Sequence, residues 1–334
     1  MPSKAPQIDA AQVRRLANTV RALSIDAVQK ANSGHPGLPL GCADIAATLW
    51  LSFLRYDPSD PAWPNRDRFI LSAGHGSMLL YSLLHLAGYE VSMDDLKAFR
   101  QWGSNTPGHP ELHITPGVEA TTGPLGQGIS TAVGIALSGL MLRDRFDDKA
   151  PGLFDHFVYV LASDGDLMEG VAAEACSLAG EWRLSNLIVY YDDNDISLDG
   201  PTSLSFSAED RAKRFESYGW HVLRADGHDP DSVAAATLAA QQDPRPSIIV
   251  CKTVIGFGSP NKAGSSKAHG SPLGADEVAL TKEKLGIPAA AFHVPTEDRE
   301  AWAARARASR DEHAHWKSRL ADFSAKHPEA VAEY

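Results

Sequence analysis

Leu161-Ala162-Ser163-Asp164-Gly165-Asp166-Leu167-Met168-Glu169-Gly170 opens the stretch that decides the fold. An Ala-rich segment carries it on to Trp182. The apolar run Leu187-Ile188-Val189-Tyr190-Tyr191 follows, and then Asp192-Asp193-Asn194-Asp195-Ile196-Ser197-Leu198-Asp199-Gly200. An apolar run ending in Asp-Gly, a helical pattern and a second apolar run ending in Asp-Asp-Asn make a strand–helix–strand unit. Both strand ends then reach the same edge of a parallel sheet, the edge where ligands bind. Asp164 and Asn194 fall there on neighbouring loops. A carboxylate, an amide oxygen and a backbone carbonyl are hard oxygen donors. They suit Mg²⁺ or Ca²⁺, and Mg²⁺ usually shares its shell with phosphate oxygens. Gly165 allows the backbone to approach such a phosphate closely. Asp-Gly and Asp-Asp-Asn are each ordinary turn chemistry when taken alone. Their joint placement on one unit is what points to a site.

On either side of this unit the same alternation continues. Asp9 can cap a helix running to about residue 31, with Val13, Leu16, Val20, Leu23 and Ala27 on one face. A second helix is expected over about 42–54, a strand over 68–72 and a helix over 78–86. Beyond the central unit come a helix at about 208–217, a strand at 220–224, a helix at 231–241 and a strand at 247–252. Strands separated by helical patterns predict a doubly wound, mostly parallel α/β sheet with helices on both faces. Two long segments break the rhythm, 102–128 and 253–274, both rich in Gly. Loops of that length inside a domain are usually functional or disordered. The tail from about residue 296 reads as a charged helix, with Trp302 and Trp316 spaced to pack against something.

The chain has 334 residues, 43% of them hydrophobic, and a net charge of −11. An acidic chain without a Lys/Arg block is a poor partner for nucleic acid or an anionic membrane. A phosphate ligand must then be held by local groups. Cys42, Cys176 and Cys251 are odd in number and lack metal-type spacing, which fits buried thiols in a reducing compartment. The first residues have no apolar signal core, and no run is long enough to span a bilayer, so a cytoplasmic protein is expected.

Four histidines stand in loops defined by Gly or Pro: His35, His75, His109 and His269. Any one of them could be a satisfied structural residue. Four in one type of context suggest acid–base work near neutral pH. His109, Glu111 and His113 look superficially like a metal cluster. Pro107, Gly108 and Pro110 break the helix that a His-Glu-x-x-His zinc site needs, and the residue order is wrong. The loop containing Thr122-Gly123-Pro124-Leu125-Gly126-Gln127-Gly128 opens into a helix, and such a helix N-terminus can receive an anion.

The central stretch resembles the thiamine-diphosphate motif, Gly-Asp-Gly followed later by Asn, with Ser163 in place of the first Gly. Its flanks, together with Ser33-Gly34-His35-Pro36-Gly37 and His269-Gly270-Ser271-Pro272-Leu273-Gly274, resemble the transketolase family over nearly the whole chain. That resemblance implies a diphosphate-binding fold over 1–290 and a helical tail over 291–334, which in full-length members leads on to a pyrimidine-binding domain. It implies Asp164, Asn194 and the carbonyl of Ile196 as ligands of Mg²⁺, with Ca²⁺ or Mn²⁺ as substitutes. His75, Gly123, Pro124, Leu125, Gly165 and His269 would contact thiamine diphosphate. His35, His109 and His269 would be the catalytic, substrate-facing set, and Glu169 would lie near a subunit interface. The implied activity is transfer of a two-carbon ketol unit between sugar phosphates, in complex with a separate C-terminal subunit carrying the pyrimidine-binding half. A homodimer within a heterotetramer is expected. Two other readings share these residues: a dihydroxyacetone- or sulfosugar-type transketolase, and a catalytically silent cofactor-binding module.

Overall fold

The computed structural model describes residues 9–333. The reading of residues 1–8 as free of a signal core lies outside them. In chain order the first elements are α1 (Ala10–Ala31), α2 (Gly37–Ser52), β1 (Arg68–Leu71), α3 (Ser77–Ala87) and α4 (Met93–Lys97). Next come α5 (Gln127–Phe146), β2 (Val158–Ser163), α6 (Asp164–Met168), α7 (Gly170–Glu181), β3 (Leu187–Asp193) and a small hairpin, β4 (Ile196–Ser197) and β5 (Gly200–Pro201). The last are α8 (Arg211–Ser217), β6 (His221–Asp226), α9 (Pro230–Gln242), β7 (Ser247–Lys252), α10 (Ala275–Leu285), α11 (Thr296–Lys326) and α12 (Pro328–Glu333).

Five strands form one fully parallel sheet in the order β1-β2-β3-β7-β6. Side chains of a strand alternate between faces, so β2 sends Tyr159 and Leu161 to one core and Val158, Val160 and Ala162 to the other. Parallel crossovers are right-handed, so reversing the direction of travel along the sheet moves the connecting helix to the opposite face. The step from β2 to β3 places Ala172, Cys176 and Ala179 of α7 on the face of Val158 and Val160. The step from β6 back to β7 places Val233 and Ala240 of α9 on the other face, with α1, α2 and α3. The three cysteines are free and buried, one or more in each core. Among the described residues no helix is long and apolar enough to cross a membrane.

The structure departs from the sequence reading at several boundaries. α2 begins at Gly37 rather than near residue 42. This helix is buried all round, so no polar face marks its start. Its entry is set by close approach instead. A Cβ on Gly37 would lie 2.6 Å from the Ala268 carbonyl oxygen, so only glycine lets the 253–274 loop seat on the helix. α8 starts at Arg211, where the Asp210 side chain caps the Lys213 N–H at 3.1 Å. The charged tail is a single 31-residue helix, α11. Trp302 is fully buried in the core that also holds α1 and α3. Trp316 packs with Trp63, Phe146, Phe154 and Phe323 in a separate cluster and donates its indole N–H to Leu153 O at 2.7 Å.

Because Trp302 fills the core with no room to collapse, Trp302→Ala is expected to lower unfolding stability by about 3–5 kcal/mol. The denaturant midpoint measures this, and a loss below about 1 kcal/mol would contradict the packing role of α11.

Candidate active site

The carboxyl ends of β1, β2, β3 and β7 converge on one cavity of about 410 Å³. His75 reaches it from the turn after β1, and Asp164 and Gly165 from the start of α6 after β2. Asn194 comes from the turn after β3 and Ile196 from the start of β4, and Ile255 and His269 from the loop after β7. His35 enters from the turn between α1 and α2, and Gly123 and Leu125 from the segment before α5. The parallel register explains the convergence, because Ser163 pairs with Asp192 and Asp192 with Cys251, so the strands end level. Pro124 does not line the cavity; its carbonyl accepts the Gln127 N–H at 3.3 Å in a turn.

Asp164 is buried, and burial raises its pKa from the usual carboxylate range to about 7. The Tyr191 hydroxyl donates to its Oδ1, and the Arg211 guanidinium lies 3.3 Å from the same oxygen. Oδ2 is buried and has no hydrogen-bond partner. Asn194 gives its amide N–H to Asp192 at 2.8 Å, which turns its oxygen the other way, where that oxygen also accepts the Ile196 N–H at 2.9 Å. Asp192 itself is buried, accepts from the Thr253 hydroxyl, and has its pKa raised by burial. A desolvated carboxylate with one unpaired oxygen, beside an oriented amide oxygen, fits a divalent cation. Among the described residues no three His, Cys, Asp or Glu side chains converge to hold a metal, so a cation here needs the amide and carbonyl oxygens as well.

One residue of this region escaped the sequence reading. Asp166 is fully buried, and its carboxylate accepts from Gly126 N at 2.9 Å, Ser72 Oγ at 2.8 Å and Ser163 N at 3.0 Å. It thereby ties the ends of β1 and β2 to the loop before α5. Ser163-x-x-Asp166 is a capping-box spacing, which is the signal that could have found it. The same contact explains the serine in the motif: Ser163 Oγ lies 3.2 Å from Asp166, turned to the cap. Gly126 is a forced choice, since its φ is +77° and a Cβ would lie 2.8 Å from that of Glu169. Ser72 Oγ also accepts the Ile129 N–H at 2.9 Å. Two of the N–H groups at the start of α5, those of Gly126 and Ile129, are thus used inside the fold.

Four imidazoles gather here, three lining the cavity and His109 beside it. The His75 and His269 rings stack at 5.1 Å, and His35 lies 5.2 Å from His75 and 5.8 Å from His269. His109 is 6.5 Å from His35 and stands in an adjoining, wider cavity with Ser33 and Arg100. All four have lowered pKa values, with burial the largest cause; His35 falls to about 4 and His75 well below the ordinary range. Each ring is therefore neutral at neutral pH, with one nitrogen that donates and one that accepts. Glu169 is exposed at the cavity rim. The four histidines and the Asp164, Asn194 and Ile196 set are brought together. His113 is not; it is exposed, at a left-handed φ of 71°.

The family profile described as transketolase, thiamine diphosphate binding domain, matches residues 12–334. The chain belongs to the transketolase family. It is 55% identical over 320 residues to transketolase 2 of Vibrio parahaemolyticus and 54% identical over 321 residues to transketolase 2 of Escherichia coli K12. Each match covers 96% of this chain and 48% of the relative. The fold is similar to that of a transketolase from Leishmania mexicana, with a TM-score of 0.93 and 45% identity over 96% of this chain and 48% of that one. A Pichia stipitis transketolase in complex with sedoheptulose-7-phosphate gives a TM-score of 0.94 at 43% identity, over 97% of this chain and 48% of that one. The chain spans about half the length of the curated relatives it matches.

Two outcomes follow from this geometry. Asp164→Ala is expected to weaken Mg²⁺-dependent binding of thiamine diphosphate 10-fold or more, about 1.4 kcal/mol, and unchanged calorimetric affinity would sink the assignment. The histidines have folded-state pKa values below the ordinary 6.5. Their neutral form contributes stability that is present above pH 6.5 and is lost as pH falls toward 4. The raised pKa of Asp164 acts with the opposite sign over the same window, so the check is the titration of the rings themselves: NMR should find His35 still unprotonated at about pH 5, and a His35 titration near the ordinary 6.5 would contradict the buried neutral cluster.

Proposed function

We propose that this chain is the diphosphate-binding half of a transketolase. It moves a two-carbon ketol unit from a ketose phosphate to an aldose phosphate, together with a separate chain that supplies the pyrimidine-binding half. The observation that carries the reading is one cavity lined by hard oxygen donors and by three neutral imidazoles, His35, His75 and His269, with a fourth, His109, in the adjoining cavity. Thiamine diphosphate, when bound, supplies the electron sink for making and breaking the carbon–carbon bond.

The residues divide the work. Asp164, the Asn194 oxygen and the Ile196 carbonyl would hold Mg²⁺, or Ca²⁺ or Mn²⁺ in its place, which would offset diphosphate charge that an acidic chain otherwise repels. Gly165, Gly123 and Leu125 let the backbone approach the cofactor, and His75 contacts it. His35, His109 and His269 face the sugar, hold its hydroxyl groups and move protons. Their lowered pKa values leave an unprotonated nitrogen on each ring at neutral pH, and a ring whose unprotonated nitrogen faces the sugar can accept a proton from it. Leu125, beside the Asp166 tie, and Val171, Leu178 and Trp182, along and just after α7, are between 37% and 48% exposed, apolar surface that a subunit interface would cover. We assign that interface to a homodimer within a heterotetramer.

The test mixes this chain with a polypeptide carrying the pyrimidine-binding and C-terminal parts, plus Mg²⁺, thiamine diphosphate and a ketose–aldose phosphate pair. Ketol transfer is expected from the mixture and not from either chain alone. Full activity from this chain alone would refute the division between two chains. Within the active mixture His269→Ala should lower turnover by roughly 10²-fold while cofactor affinity stays close to that of the unaltered chain. Lost cofactor binding with unchanged turnover per bound cofactor would overturn the assigned role.

A further inference from the structure

The wider cavity beside the histidine cluster holds a residue that the proposed division of work does not use. Arg100 follows α4 and has a left-handed φ of 61°. A non-glycine residue is disfavoured there, and its backbone is held by Arg100 N donating to Thr106 O at 3.0 Å. This turn sends the side chain inward. Nη1 donates to Ser33 Oγ at 2.9 Å, and Nη2 lies 3.4 Å from His35 Nδ1. The guanidinium lies 5.6 Å from the Phe99 ring. A Cβ on Gly108 would come within 3.2 Å of Nε, so glycine at that position keeps the path of the side chain open.

Arginine is a donor only and does not lose its proton in proteins. The nitrogen of His35 that faces it must therefore be the acceptor, which leaves the ring proton on Nε2. That edge points toward the cluster: a Cβ on Gly270 would meet His35 Cδ2 at 3.3 Å and Nε2 at 3.5 Å. The ionisable groups facing His35 are Arg100 from the turn after α4, His75 after β1, His109 from the 102–126 segment and His269 after β7. None of them is an acid; Glu111 shares the Arg100 cavity but acts on His109 rather than on His35.

We propose that Arg100 is a positioning residue that locks His35 in the Nε2–H tautomer, making it a hydrogen-bond donor to a substrate oxygen and excluding it as a general base. Burial and the Arg100 charge act together on the ring and keep it neutral, with its pKa held near 4. Proton removal from a hydroxyl then falls to another ring of the set. The tautomer assignment stands on this geometry alone, whereas its role in turnover rests on the reading of His35 as substrate-facing.

Long-range ¹H–¹⁵N spectra of the histidine rings in the isolated chain test the tautomer directly. Near neutral pH, His35 Nδ1 is expected to be unprotonated and Nε2 protonated, with no titration until well below the ordinary histidine range. In Arg100→Met the tautomers should mix and the titration should move up, and Arg100→Lys should restore part of both. A protonated Nδ1 in the unaltered chain overturns the proposal, and that reading holds even if Arg100→Met fails to fold. So does an Arg100→Met chain whose His35 shifts and titration are unchanged. In the assembled enzyme Arg100→Met should lower kcat on the order of 10-fold or more, as for a misplaced catalytic group. If the spectra are as expected but His35→Ala leaves turnover intact, the substrate-facing reading fails and the tautomer lock stands.

Discussion

The Asp166 carboxylate is the point on which the site depends. It is buried, ionisable and surrounded by donors from three parts of the chain, Ser72, Gly126 and Ser163. An unpaired buried carboxylate is costly, so the fold is committed to keeping all three partners in reach. Each partner leads directly into a functional loop. Ser72 precedes His75, Gly126 follows Gly123 and Leu125, and Ser163 precedes Asp164. One acid thus fixes the relative positions of groups that lie far apart in sequence, and Ser72 and Asp166 are separated by 94 positions.

Burial shapes the chemistry of the cavity in two opposite senses. It raises the pKa of Asp164 and Asp192 and lowers that of His35, His75, His109 and His269. Both shifts have one cause, the penalty for placing charge where water is excluded. On the acidic wall the penalty creates a demand for a cation. On the histidine wall it favours neutral rings that exchange protons at neutral pH without first shedding one. Desolvation thus makes one wall suited to holding a charged cofactor and the other to handling uncharged hydroxyl groups.

Much of this was legible in the residues, where local pattern and local contact agree. α1 runs from its Asp9 cap to Ala31, and β7 spans Ser247–Lys252, both as the periodicity and capping signals predict. The four histidines announced themselves through their Gly and Pro flanks, and the structure brings their rings together. The start of α2 was hidden because a helix buried on every side has no amphipathic edge. α10 was missed because its charged, weakly patterned sequence depends on packing against α1, and the two-residue strands β4 and β5 are too short to show a period. Arg100 was invisible for a different reason: its partners Ser33 and His35 lie 67 and 65 positions away, which no local spacing encodes. Asp166 left a local trace in its capping-box spacing to Ser163, but its bonds to Ser72 and Gly126 span 94 and 40 positions.

The aromatic cluster around Trp316 has a consequence for how the molecule breathes. Trp63, Phe146, Phe154, Trp316 and Phe323 form a core of their own, and none of them lines the cavity. Cooperative units of this kind open at their own free energies, below that of global unfolding. The far end of α11 and the last turn of α5 can therefore loosen together and exchange their amide hydrogens while β2 and β3 remain shut. That division gives the fold two packing units, an outer corner and an inner sheet edge, of which only the inner one holds the loops of the cavity.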